Sequence, residues 1–174
     1  ETVVTGEGEG YLLTSVFRND GAEMIPVIFN DQGQVVWWHD WSVIREGHTS
    51  RVWLHEGAIT YNIFHLDNRE DLDLTGLVTV SLDGSQVKVT QAPENHHDFW
   101  IHDDGAIAWL QYDWREFKGV RIAGDALVVQ SADGTRETLW STWDAIPDEI
   151  RTNKVFWSMT NSLEYSAADG AYYI

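Results

Sequence analysis

Residues 95–113, NHHDFWIHDDGAIAWLQYD, decide how this chain is read. They join a tandem His96-His97 and an acidic Asp98 to a turn signal, Asp103-Asp104-Gly105, and then to the apolar run Ala106-Ile107-Ala108-Trp109-Leu110. Asp-Gly between two strand-like runs is a strong short-range hairpin signal, because glycine takes the left-handed backbone that the turn demands. The histidines therefore stand on or just before one strand, and the apolar run is its partner. The rest of the chain repeats this unit without its histidines.

Two kinds of turn recur. Glycines that open a strand stand at Gly10, Gly57, Gly105 and Gly170, which are 47, 48 and 65 residues apart. Turns with Asx or Asp ahead of glycine precede polar-alternating strands at Gly33, Gly84 and Gly134, 51 and 50 residues apart. Interleaved turns recurring at about 50 residues, with four short strands per unit, are the signature of a β-propeller. The spacing predicts an all-β chain with about three and a half four-stranded blades. Blade 1 spans about 2–41, with strands at 11–17, 24–29 and 34–38 and an innermost strand either lost or formed by 2–5. Blade 2 (about 48–92) has strands at 50–54, 58–65, 77–82 and 85–90. Blade 3 (about 95–140) has strands at 97–102, 106–112, 126–131 and 135–140. Residues 141–154 form an insertion with a short helix or loop at Trp143-Asp144-Ala145-Ile146-Pro147, and 155–174 begin a fourth blade with strands at 155–165 and 171–174. A ring of fewer than about four blades does not close. The count therefore predicts either a piece of a longer protein, the favoured reading, or a ring completed by partner chains.

Composition narrows the function classes. A length of 174 residues with 43% hydrophobic and 13% aromatic content fits one folded domain. The ten tryptophans suit packed sheets. A net charge of -17 repels nucleic acid and anionic membranes, and no basic stripe offsets it. The lack of cysteine excludes disulfides, thiolate metal sites and a cysteine nucleophile, and no apolar run is long enough for a membrane-spanning helix.

In a propeller the innermost strands line the channel, which makes His96, His97 and Asp98 candidates in blade 3, with Trp157, Ser158, Met159, Thr160 and Asn161 in blade 4 and His48 and Arg51 in blade 2. His55, His65 and His102 lack metal-ligand spacing, so no metal site is expected. The acidic run at 67–73 lacks the spacing of a calcium loop and reads as a solvated connection. Trp37, Trp38 and Trp140 read as packing between blades and Met159 as packing.

Three segments together carry a family resemblance: His96-His97-Asp98 ahead of the hairpin, Gly124-Asp125-Ala126-Leu127-Val128 with Asp133-Gly134 and Trp140, and Trp157-Ser158-Met159-Thr160-Asn161-Ser162-Leu163-Glu164-Tyr165. With them the chain resembles the arylsulfotransferase-type propellers, best over residues 95–174. The resemblance implies a six-bladed parent in the periplasm or outside the cell that moves a sulfuryl group from a phenolic sulfate ester to a phenol, without a cofactor. In that family a channel histidine is transiently sulfurylated while other histidines, an asparagine and an arginine hold the sulfate oxygens. Carried over, His97 or its neighbour His96 matches the first channel histidine and Asn161 the asparagine of a Trp-x-His-x-Asn motif. Met159 stands where that motif has histidine, which removes a donor. The family's arginine and its nucleophilic histidine would lie beyond Ile174, so the resemblance gives this chain sulfate-binding candidates and no certain catalytic residue. The alternative is a non-catalytic extracellular propeller of the same ancestry, serving as a binding or assembly module.

Overall fold

A computed structural model describes residues 10–17, 24–39, 48–64 and 75–174. The expected innermost strand at 2–5, His65 and the acidic run at 67–73 lie outside the described residues. The fold is all-β, with four antiparallel sheets and one short helix among the described residues. The chain divides into two compact units, Glu1–Ala92 and Pro93–Ile174.

The first unit holds a three-stranded sheet of β1 (Leu12–Phe17), β2 (Met24–Phe29) and β3 (Val35–Trp38), in that order. A four-stranded sheet follows, in which β4 (Val52–His55), β5 (Ala58–Ile63), β6 (Gly76–Ser81) and β7 (Val87–Gln91) pair in sequence. Alternation decides which face is buried. Ile59, Tyr61 and Ile63 on β5 and Val78 and Val80 on β6 form one apolar face, against which Leu13, Ile28 and Trp37 of the first sheet pack. Trp37 thus packs as the sequence suggests. Trp38 does not, and is 59% exposed.

The second unit holds β8 (Asn95–Ile101), β9 (Ile107–Phe117), β10 (Val120–Gln130) and β11 (Arg136–Ser141), again paired in sequence. Helix α1 (Thr142–Ala145), a 3-10 turn (Asp148–Ile150) and a two-stranded sheet of β12 (Glu164–Ser166) and β13 (Ala171–Tyr173) follow. Ala108, Leu110 and Leu127 of the larger sheet make a core with Leu163, and Trp100, Trp140 and Tyr172 pack against it.

Four of the recurring glycine turns share one physical cause. In four hairpin loops a glycine N–H donates to the carbonyl three residues earlier: Gly33 to Asn30, Gly84 to Ser81, Gly105 to His102 and Gly134 to Ser131. Each glycine has a positive φ, from 70° to 90°. In each loop an Asx carboxyl or amide oxygen takes the N–H two residues on, from Asn30 to Gln32, Asp83 to Ser85, Asp104 to Ala106 and Asp133 to Thr135. In the tightest case the Ser81 hydroxyl, then the Ser85 donors, hold the Asp83 carboxyl down to about 2.

Two expectations need correction. Residues 113–125, assigned to no strand, extend β9 and β10 into a long hairpin that turns at Lys118-Gly119. Both turn residues have positive φ, 53° and 79°, the geometry of a two-residue hairpin loop. The expected strand at 155–165 shrinks to Glu164–Ser166, because the residues before it make only an isolated bridge, Phe156 with Ala123 of β10, and then bond to side chains of the site.

Candidate functional site

The candidate site forms where β8 leaves its regular pairing. His96 stands opposite Leu110, and the next pair is Phe99 with Trp109, so His97 and Asp98 are two extra residues in a bulge. The backbone accommodates them by placing His97 in the left-handed region, at φ 47°. For a non-glycine residue this costs on the order of 1–3 kcal/mol and persists only where the surroundings hold it. Asp98 supplies the hold. Its Oδ1 accepts from the Phe99 N–H at 2.8 Å and its Oδ2 from the Leu163 N–H at 2.7 Å, which also ties the 158–163 segment to the bulge.

The bulge turns the two imidazoles toward one another. Nδ1 of His96 lies 3.0 Å from Nδ1 of His97. His96 is fully buried and stacks on Tyr112 of β9, with ring centroids 4.2 Å apart and planes 20° from parallel. Its Nε2 faces Oδ1 of Asp125, on β10, at 3.3 Å. That contact is close enough for an ion pair but off the line of a good hydrogen bond, so neither atom has an aligned partner. The other carboxylate oxygen of Asp125 accepts from the Thr160 N–H at 2.9 Å and hydroxyl at 3.0 Å. His97 itself is half-buried.

Asp125 is buried because β10 runs past the end of β11. Ser141 pairs with Ala126, and beyond it the chain turns into α1. The free edge of β10 is satisfied in other ways. The Thr142 hydroxyl accepts from the Asp125 N–H at 2.9 Å and donates to its carbonyl at 3.2 Å. One step further, the Ala123 N–H donates to the Val155 carbonyl and its carbonyl accepts from the Trp157 N–H. Gly124 makes this crossing possible, since a Cβ there would sit 2.5 Å from the Thr142 Oγ1 and 2.8 Å from the Trp143 Nε1. The helix is fixed by a Ser141 cap on Trp143, by the Trp143 indole N–H on the Asp113 carbonyl and by the Arg151 guanidinium on the Trp143 and Ile146 carbonyls. This scaffold carries 158–163 across the histidine pair.

Electrostatics follow from burial. Desolvation, then the adjacent His96, lowers the pKa of His97 below its ordinary value. Burial pushes the Asp125 carboxyl up, but the His96 contact and the Ser158 and Thr160 donors outweigh it and hold the group below the usual carboxylate range. Burial, reinforced by Asp125 and Glu94, pushes the Tyr112 phenol up to about 12. Glu94 is raised by burial and accepts from the Trp114 indole at 3.2 Å. The cluster thus favours a neutral His97 beside an ionised Asp125.

Of the expected sulfate-binding residues, His96 and His97 come together, but only His97 is partly exposed. Asn161 lies on the segment that crosses the site, between the Thr160 and Leu163 anchors, yet its side chain is exposed and bonds to neither histidine. Met159 is 50% exposed and so is not packing. His48 pairs through its backbone with Phe64 in the first unit, and Arg51 lies over the Trp53 ring. His102 is occupied by the Tyr172 hydroxyl at 2.6 Å. Among the described residues no group of three His, Asp or Glu side chains is placed to hold a metal ion, and no helix is long and apolar enough to cross a membrane.

The sequence reading gave no role to Asp125 or Tyr112, and named Thr160 only as one of five channel candidates in blade 4. Asp125 had a signal: a charged residue inside Ile122-Ala123-Gly124-Asp125-Ala126-Leu127, a run buried throughout. Such a residue is buried only with partners. Comparison of the chain with protein-family models, curated proteins and solved structures finds no match.

Proposed function

We propose that this chain is part of a β-propeller that carries a histidine-based group-transfer site, of the type that passes a sulfuryl group from a phenolic sulfate ester to a phenol. The observation that carries this reading is the two-residue bulge of β8, which holds His97 in a left-handed backbone against a buried histidine and carboxylate. Strained backbone beside paired titratable groups is characteristic of functional sites. Sequentially paired sheets with a common loop geometry support the propeller architecture.

Within this reading His97 meets the substrate. Its half-buried imidazole is neutral at pH 7, so it accepts a proton from an acceptor phenol and, once protonated, returns it to a departing aryloxide. His96 is enclosed and works through its neighbour.

The test is turnover of 4-nitrophenyl sulfate with a phenol acceptor by the intact protein. Activity that falls at least about 100-fold in His97→Ala supports the proposal. An inert protein, or a variant with undiminished turnover, sinks it. A second reading, a non-catalytic binding module, is favoured by the exposed Asn161 and Met159, which leave the family's asparagine and histidine positions outside the cluster. It predicts calorimetric binding of an aryl sulfate without turnover.

A further inference from the structure

We infer that residues 158–162 form a gate over the buried His96–Asp125 contact, with Thr160 as its latch. His96 is fully buried, but its neighbours differ in how firmly they are held. Tyr112 stacks on the ring and belongs to the β9–β10 ladder, where it pairs with Asp125. Asp125 faces Nε2, and beyond it lies the 158–162 segment. Among the described residues, no backbone–backbone hydrogen bond involves that segment.

Both ends of the segment are fixed. Before it, Ala123 of β10 bonds to Val155 and Trp157. After it, Leu163 is buried in the core and gives its N–H to Asp98. In between, the hold comes through side chains. The Ser158 hydroxyl lies 3.3 Å from the Thr142 Oγ1, and the Thr160 N–H and hydroxyl both donate to Oδ2 of Asp125, at 2.9 and 3.0 Å. Met159, Asn161 and Ser162, on either side of the latch, are exposed, so little apolar burial resists lifting.

The closed form also carries a cost that opening removes. Nε2 of His96 and Oδ1 of Asp125 are buried without an aligned partner, as are the Tyr112 hydroxyl and, at the first hinge, the Trp157 indole N–H. Water admitted beneath a lifted segment satisfies the first two and takes the place of Thr160 at Oδ2. A short segment latched by one residue over unsatisfied polar groups is therefore where this unit opens first. Closed, the pair presents the partly exposed His97; open, it presents Nε2 of His96 as well. A ligand that touches both rings binds the open form and draws the population toward it. The gate does not rest on the group-transfer reading, and its test uses no substrate.

Two measurements on the intact protein read the opening. Diethyl pyrocarbonate acylates an imidazole nitrogen with loss of ethanol and carbon dioxide, and the labelled histidines are located by mass spectrometry. Amide hydrogen exchange is followed residue by residue by NMR. His96 should label slowly, with an opening equilibrium that matches the one read from the Thr160 amide. Both should change little with urea below the unfolding transition, since a local opening exposes little surface. Thr160→Val keeps the amide and the side-chain size but removes one of the two latch bonds. It should speed His96 labelling and exchange of the amide at 160 at least about tenfold, while His102, held by Tyr172, labels as before. A His96 that labels in the native chain as fast as an exposed histidine overturns the inference. So does a Thr160 amide with the urea dependence of the core amides of Leu110 and Leu127, which marks global unfolding. Unchanged rates in a Thr160→Val chain of native amide spectrum do the same. Should that variant fail to fold, the urea dependence in the native chain decides alone. An inert protein with the expected labelling sinks sulfuryl transfer and leaves the gate standing.

Discussion

His97 carries two burdens that a strand residue ordinarily avoids, a left-handed backbone and an imidazole half withdrawn from water beside another imidazole. The second has a sign that can be worked out. Burial and then His96 hold the folded pKa below the ordinary 6.5, so between those two values the unfolded chain binds more protons than the folded one. Stability therefore falls as pH drops through 6.5 toward the folded value. Asp125 acts lower down. Its folded pKa lies below 3.8, so its contribution is present above that value and is lost as pH falls further. We expect His97→Gln to flatten the decline in urea midpoint as pH drops below 6.5 while leaving the loss below about pH 4. A variant with the native slope in the upper window would assign that slope to another group. The tandem histidines were legible in the sequence because two adjacent imidazoles before a hairpin stand out. Asp125 was not, because its partners Thr160 and His96 lie 35 residues ahead of it and on another strand.

At the scale of elements, the scaffold depends on one position without a side chain. Gly124 lies in mid-strand where α1 crosses, and the atoms a Cβ would meet are a hydroxyl and an indole, both already committed. Neither can withdraw without breaking a bond to Asp125 or to Asp113. Gly124→Ala should destabilise the chain by about 1–3 kcal/mol in urea unfolding, the usual range for overpacking. It should also disturb the His96 and Thr160 resonances, because the helix and the 155–157 segment share the same strand edge. A variant of native stability would mean that α1 shifts freely. Strand positions followed from the sequence wherever Asx-Gly loops or alternation marked them. The long β9–β10 hairpin did not, since Glu116-Phe117-Lys118-Gly119-Val120-Arg121 has neither alternation nor an Asx turn former, and Lys118 enters the left-handed region without the usual asparagine or aspartate. The strand expected at 155–165 failed for a related reason. Its apolar residues serve the edge of β10 and the core around Leu163, a tertiary use that no local pattern reveals.

At the scale of the whole molecule, the fifty-residue recurrence of Gly33, Gly84 and Gly134 was visible because each of these turns needs a glycine at a left-handed position and an Asx oxygen beside it, and few other residues meet both demands. Charge is the other property set by the chain as a whole. A net charge of -17 is spread over 174 residues, while ion pairs such as Arg115 with Asp113 and Asp144 are partly solvated and contribute little. Repulsion among unpaired carboxylates thus outweighs surface attraction, and it acts more strongly on the compact state than on the expanded chain. Raising ionic strength from about 0.01 to 0.15 M shortens the screening length from about 30 to 8 Å, which suppresses the repulsion between distant carboxylates first. The urea midpoint at pH 7 should therefore rise with sodium chloride over this range, and the rise should be smaller near the isoelectric point of about 4.5, where the net charge vanishes. A midpoint that falls with salt at pH 7 would mean that partly solvated pairs such as Arg115 with Asp113 and Asp144 outweigh the repulsion between distant carboxylates, since buried contacts are screened much less.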